Sequence, residues 1–346
     1  MASQQNIRQK ALNLLQGKRD SEFLCFSGMG NVTTEGMKAT GIRFAQAHTD
    51  AGKMAKLAAT SFRLFGFQSA VVPFDVAIEA ELLGCPINFY TEVDPQEILY
   101  PTVKEKTISS AAGIRIPSDL ANAGRVPMVR QALSLLKSDV GGEIPIGTYI
   151  MGPFTVAGQT MELDHLLKLC LKKPEEVSEI LGIYSSLIVE LAKSYFAAGA
   201  DYITIREMGA CSDVLRPTLF RSLVEPHLKD IFRKSAGPLV LHICGKSNGI
   251  IDSMNGCGAS ALSVDQKNDL RQTRESIGKA PVVLGNFDPY NVLVRGTPQD
   301  VRRAVAHCIE DGVDAVWPGC DIWPTAPREN MEALMAAVAA GRRERK

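Results

Sequence analysis

The chain has 346 residues, equal numbers of basic and acidic side chains, zero formal net charge and 45% hydrophobic residues. That is an ordinary globular composition, long enough to bury a substantial core as one large domain or two smaller ones. With no basic tail, a polar N-terminus without an apolar signal region, and no run approaching roughly 18–20 apolar residues, neither nucleic acid nor a membrane is an expected partner and a cytoplasmic location is expected.

Short β-branched and apolar runs alternate with helical patterns. Eight candidate strands fall near 23–26, 70–74, 145–151, 201–206, 238–244, 259–264, 281–285 and 315–317. Between the second and third lies a long gap, 76–144, read as an insertion that makes a lid of a hairpin and a helix. Lys173-Pro174-Glu-Glu opens a strong helix, with proline in the first turn and acids at the positive end of the helix dipole. Its apolar residues Val177, Ile180, Leu181, Tyr184, Leu187, Ile188 and Leu191 form one stripe, and Gly199 stops it. A second helix runs from a cap at Thr297 to Gly312, and a last one follows Pro327. Strand–helix alternation of this length predicts an α/β fold, a (β/α)8 TIM barrel forming one domain over 1–346 with the lid inserted after the second strand. A doubly wound sheet is the runner-up. It is disfavoured because Gly28-Met-Gly30-Asn after the first strand is not a dinucleotide-binding glycine loop.

In such barrels the site lies at the C-terminal strand ends. Polar residues gather there: Asp75, Glu207, His242, Cys244, Asp265, Asn286, Asp288 and Cys320. His242 and Cys244 are two apart on one strand and so share a side. With Cys320 at the end of the eighth strand they offer one imidazole and two thiols, a zinc set with its fourth position open. Asp265 is a candidate fourth ligand until a substrate arrives. Two thiolates and a neutral imidazole leave the metal nearly charge-neutral, a soft site that suits an incoming sulfur better than water activation. The chemistry implied is alkyl transfer to a thiol.

The remaining cysteines read differently. The chain is large and without a secretion signal, so the eight cysteines are expected reduced. Cys25, Cys85, Cys170 and Cys308 read as core. Cys211 reads as a bystander near the pocket, and Cys257 as an alternative ligand disfavoured by its place at the wrong end of the barrel. His48, His165, His227 and His307 are expected on helices or surface. Asp75 and Glu207 are open to two readings, site groups or ion-pair partners in the barrel mouth.

Taken together, the His-x-Cys with a distal Cys, Val72-Pro-Phe-Asp75, Gly152-Pro-Phe-Thr155, Pro217-Thr-Leu-Phe220, Gly285-Asn-Phe-Asp-Pro289 and Pro324-Thr-Ala-Pro327 resemble the uroporphyrinogen decarboxylase superfamily. The nearer likeness is to its corrinoid-dependent methyltransferase branch, typified by methylcobalamin:coenzyme M methyltransferases. The resemblance implies zinc on His242, Cys244 and Cys320 and a corrinoid, as methylcobalamin or a methylated corrinoid protein, as methyl donor. It implies a small thiol such as coenzyme M as acceptor, with Asp75 and Glu207 as catalytic groups that position it and Asn286 as a substrate-binding residue. No Asp-x-His-x-x-Gly cobalt-ligating motif occurs, so the corrinoid is expected on a transient protein partner. The alternatives are a demethylating enzyme that loads the corrinoid, a variant with a folate acceptor, uroporphyrinogen decarboxylase itself and a non-enzymatic zinc-binding corrinoid carrier. The decarboxylase is disfavoured by the lack of arginine between Phe26 and Gly41.

Overall fold

Seven strands are parallel and buried, save for the half-buried Asn286: β1 (Ala70–Val72), β4 (Ile146–Met151), β5 (Tyr202–Arg206), β6 (Leu239–Ile243), β7 (Ala261–Val264), β8 (Val283–Phe287) and β9 (Ala315–Pro318). The computed structural model describes residues 6–90 and 97–342. The order β1-β4-β5-β6-β7-β8-β9 follows the chain, and helices cross between successive strands. Near-continuous apolar runs such as Leu239–Ile243 suit strands covered on both faces. The curled parallel sheet and its helices make an α/β fold of the TIM-barrel type.

The run at 23–26 joins the barrel by bridges rather than by a ladder. Val316 N donates to Leu24 O (2.9 Å) on the β9 side, and Gln68 N donates to Cys25 O (3.1 Å) just before β1. The Cys25 N–H is taken by Gln68 Oε1 at 2.7 Å, so a side chain stands where a strand backbone would. The barrel interior is plugged by Leu24, Phe26, Met29, Tyr202, Val240, Leu284 and Trp317. The Phe26 and Trp317 rings meet edge-on with centroids 5.0 Å apart.

Alternation decides which strand residues face that interior. Tyr202, Val240, Ala261, Leu284 and Trp317 belong to the inner cluster. Ile203, Leu241, Leu262, Val283 and Val316 belong to the outer one, beneath the helices. With a period of two, Arg206, His242, Ser263 and Asn286 follow the inner set.

The stretch between β1 and β4 holds a short helix (Ile78–Leu82), an antiparallel pair of β2 (Ile87–Asn88) with β3 (Thr102–Val103), and a longer helix (Val126–Asp139). The longer helix packs on β1 and β4, in the outer layer of the barrel. Part of the lid expected at 76–144, residues 91–96, lies outside the described residues.

The helix Pro174–Ala197 buries the whole stripe read from its sequence, from Val177 to Leu191. By length and composition it is able to cross a membrane, which the apolar-run reading missed because acids interrupt it. Here it packs on β4 and on the helices Pro153–Thr160, Leu163–Lys172 and Glu225–Lys234. The helix Pro298–Glu310 is capped reciprocally by Thr297 and Asp300, which satisfies N–H groups the helix cannot. Ile188 is fully buried at the centre of the long helix. Ile188→Ala is expected to lower stability by about 2–5 kcal/mol through lost burial and a residual cavity, read as a shift of the urea midpoint at constant slope.

Candidate active site

β6 delivers His242 and Cys244 to the barrel mouth, and Cys320 arrives just after β9. His242 is fully buried; its Nδ1 is hydrogen-bonded to Ser263 Oγ at 2.8 Å, across the β6–β7 register that pairs the two residues. The contact fits an Nδ1–H donating to the hydroxyl, which turns the Nε2 lone pair toward Cys244. Nε2 lies 3.1 Å from Cys244 Sγ. Cys320 stands close enough to Cys244 to bias its acidity, and its Sγ donates to Asp321 Oδ2 at 3.7 Å. Among the described residues no group of three or more His, Cys, Asp or Glu is arranged so as to hold a metal ion. The three donors nevertheless make one continuous chain of contacts, and an imidazole with two sulfurs is a donor set that fits a soft divalent ion.

The electrostatics around the sulfurs are strongly biased. The Cys244 thiol is held well below its ordinary value by the adjacent Cys320; burial opposes this, and His242 and Arg206 reinforce it. The same proximity pushes Cys320 up, together with burial and the neighbouring Asp321 carboxylate.

Arg206 and Asp321, which the sequence reading did not select, stand beside this cluster. Arg206 is almost fully buried at the end of β5 and donates from Nη2 to Asp321 Oδ2 (2.6 Å) and from Nη1 to Oδ1 (3.1 Å). Its guanidinium lies 4.9 Å from the centre of the Tyr149 ring. Asp321 also accepts from Gly30 N at 2.7 Å. The signals were present in the chain: an arginine inside an apolar strand, and an acid adjoining the distal cysteine.

Asp265 accepts from Gly245 N (2.9 Å) and Lys267 N (2.8 Å), one with each carboxylate oxygen. Burial raises its pKa, those N–H donors oppose the rise, and Cys244 adds to it. The Asn286 side-chain amide donates to Asp265 O (3.1 Å) and Asn268 O (2.8 Å). Asn268 reaches back, donating to Gly245 O at 2.9 Å. The structure thus brings Asp265 and Asn286 to the turn that follows Cys244. Gly245 sits there at φ +86°, and a Cβ on it would come within 3.0 Å of Cys211 Sγ, so the turn requires glycine. Cys211 is buried against this turn, while Cys25, Cys85, Cys170, Cys257 and Cys308 are buried elsewhere as free thiols. Asp288 caps the turn after β8, accepting from Tyr290 N and Asn291 N.

Glu207 has the parity of Ile203 and Ile205 and points into the helix layer. Its carboxylate accepts from Phe154 N (2.9 Å), Thr155 N (2.7 Å) and Thr155 Oγ1 (2.5 Å), at the start of the helix Pro153–Thr160. Gly152 permits this approach, since a Cβ there would meet Glu207 Oε2 at 2.4 Å. Burial pushes the Glu207 carboxyl up to about 7 against those hydrogen bonds.

Asp75 is fully buried and gripped by Arg125, whose Nη1 and Nη2 donate at 2.8 and 3.0 Å. His48, expected on a helix or the surface, is buried with Nδ1 3.3 Å from Asp75 Oδ2. Burial raises the Asp75 pKa, but the His48 and Arg125 contacts outweigh it and bring it to about 2. Arg125 also donates from Nε to Glu81 at 2.5 Å.

Beside Cys320 a cavity of about 310 Å³ opens, lined by Phe74, Tyr100, Tyr149, Arg206, Met208 and Trp323 among others. Asp75, Cys320 and Asp321 also border it, whereas Glu207, Asp265 and Asn286 do not.

The uroporphyrinogen decarboxylase (URO-D) family matches this chain over residues 6–341. The chain is 30% identical over 336 residues to the methylcobamide:CoM methyltransferase MtaA of Methanosarcina barkeri, covering 97% of this chain and 98% of that protein. It is 27% identical over 337 residues to a methylated-thiol–coenzyme M methyltransferase of Methanosarcina mazei, covering 97% of this chain and 90% of that one. Among solved structures, a methyltransferase from Methanosarcina mazei superposes with a TM-score of 0.91 at 29% identity, covering 97% of this chain and 98% of that one.

The Asp75–Arg125 pair yields a stability prediction. Removing one partner strands a buried charge, so Asp75→Ala is expected to cost about 3–5 kcal/mol in chemical denaturation, and Asp75→Ala with Arg125→Met to regain part of it. Because the folded pKa of Asp75 lies below its ordinary 3.8, its contribution is present above that pH and is lost as pH falls through about 2. Acid unfolding of Asp75→Ala should accordingly be less steep in that window than that of the parent.

Proposed function

The chain belongs to the uroporphyrinogen decarboxylase family, and within it we propose a zinc-dependent methyltransferase that moves a methyl group from a methylated corrinoid to a thiol. The observation that carries this reading is the contact chain His242–Cys244–Cys320 at the barrel mouth. The names of the methylcobamide:CoM and methylated-thiol relatives supply the donor and acceptor classes, with coenzyme M as the acceptor named for them. The arginine-poor segment after the first bridge speaks against the family's decarboxylase activity. In its sequence Ser27-Gly-Met-Gly-Asn31 carries no cation for a polycarboxylate substrate.

His242, Cys244 and Cys320 would hold the zinc, and Asp265 is the candidate for a fourth position. As a ligand Asp265 would have to share oxygens that already accept from Gly245 and Lys267. Zinc bound there would supply Lewis acidity that lowers the pKa of an incoming thiol. The protein's own groups do the positioning. Ser263 fixes the His242 ring, and Asp265, Asn268 and Asn286 hold the Cys244–Gly245 turn. The aromatic walls of the cavity exclude water from the reacting sulfur. In the reaction the acceptor's thiolate sulfur forms a bond to the methyl carbon. The carbon–cobalt bond breaks with its electron pair left on cobalt, giving Co(I), and the thiol proton passes to solvent. Glu207 acts at a distance, by capping the helix Pro153–Thr160, and Asp75 by organising the cavity wall with Arg125. The corrinoid is presented by a transient protein partner in the cytoplasm. The methylated-thiol relative favours a second reading in which the same groups load the corrinoid from a methylated thiol.

Purified protein should carry about one zinc per chain, as a single three-ligand site requires. Cys320→Ser and His242→Ala should lose most of that zinc while the barrel stays folded by circular dichroism. Methylcobalamin with a thiol should yield Co(I) absorbance in the parent and little in either variant. Full zinc retention by both variants would rule out this ligand set.

A further inference from the structure

We propose that the acceptor cavity selects an uncharged, apolar thiol over an anionic one; this rests on the methyl-transfer reading above and names the class of its thiol. Phe74, Tyr100, Tyr149, Met208 and Trp323 make most of the wall beside Cys320. An anionic tail such as the sulfonate of coenzyme M, drawn from water into such a wall, requires a cation or several convergent donors. Among the described lining residues the one cation is Arg206. Its two terminal nitrogens are already engaged by the Asp321 carboxylate, at 2.6 and 3.1 Å. Its Nε–H lacks a hydrogen-bond partner but is itself buried. The pair therefore offers an entering anion no net charge.

The other polar groups on the wall point the same way. Asp75 is fully buried and gripped by Arg125 through two hydrogen bonds, so this pair offers an entering anion no free cation either. The Tyr149 hydroxyl is occupied, donating to Asp75 O at 3.1 Å. A sulfonate would meet a mostly apolar aromatic wall and two self-neutralised ion pairs. An alkyl or aryl tail would meet surface that it shields from water.

Binding and turnover can be read separately. The chain has two tryptophans, of which Trp317 is fully buried and Trp323, half exposed, lines the cavity, so ligand-dependent emission reports on Trp323. The probes are 1-butanethiol against 2-mercaptoethanesulfonate, and 3-mercaptopropionate against its methyl ester, each titrated into the zinc-loaded protein and then assayed with methylcobalamin. The neutral member of each pair is expected to bind and react at least ~10-fold better, about one decade of affinity. Asp321→Asn, which releases the Arg206 charge, should move the ratio toward the sulfonate by a similar factor. Trp323→Ala should weaken the alkanethiol and leave the sulfonate nearly unchanged. Equal or tighter binding of the sulfonate by the parent overturns the proposal. Neutral-ligand preference in binding without methyl transfer to any thiol upholds the cavity's selectivity and overturns the methyl-transfer reading instead.

Discussion

The period-two alternation of side chains along the barrel strands is the constraint from which the site follows. On β6 it sends Val240, His242 and Cys244 inward and Leu239, Leu241 and Ile243 toward the helices. A one-residue shift of that strand would exchange the two sets, placing an imidazole beneath the helix layer and isoleucine at the mouth. The ladder to β7 locks the register, because His242 pairs with Ser263, the residue that holds its ring. The same rule separates two acids that look equivalent in sequence. Asp265 follows the inward set of β7 and reaches the Cys244 turn, while Glu207 follows the outward set of β5 and becomes a helix cap.

Charge in the mouth is balanced by pairs. Arg206 with Asp321, and Asp75 with Arg125, are buried ion pairs made through two hydrogen bonds each. Such pairs add little net stability relative to apolar packing, since desolvation offsets most of their attraction. Their effect here is geometric and electrostatic. Arg206–Asp321 places a neutral unit on the cavity wall beside Cys320. Asp75–Arg125–Glu81 ties the start of the inserted segment to the end of β1 and draws His48 into the same wall. The two cysteines are biased in opposite directions by their mutual proximity, so the cluster is already polarised.

Family membership does not decide the chemistry, because one fold carries different reactions and the site carries the distinction. The chain matches the family named for a decarboxylase and is similar along nearly its whole length to methyltransferases. What supports the proposed methyl transfer is local: two sulfurs and an imidazole in contact, beside a cavity with one neutralised cation.

Much of this was legible from the chain alone. Apolar runs gave the positions of β1 and β4–β9, helical periodicity gave the buried stripe of Pro174–Ala197, and two-residue spacing put His242 and Cys244 on one side. Those features are local, fixed by geometry within a few residues of backbone. The run at 23–26 was legible as extended, but not that Gln68 would replace a ladder partner with its side chain. Only the tertiary structure decided that Arg206 would meet Asp321 across 115 residues of sequence, that Arg125 would grip Asp75 across 50, and that Tyr100 and Trp323 would face one cavity. Alternation says which way a side chain points from its strand. Which charge awaits it depends on how the strand ends and loops close around the barrel mouth, and no local pattern encodes that.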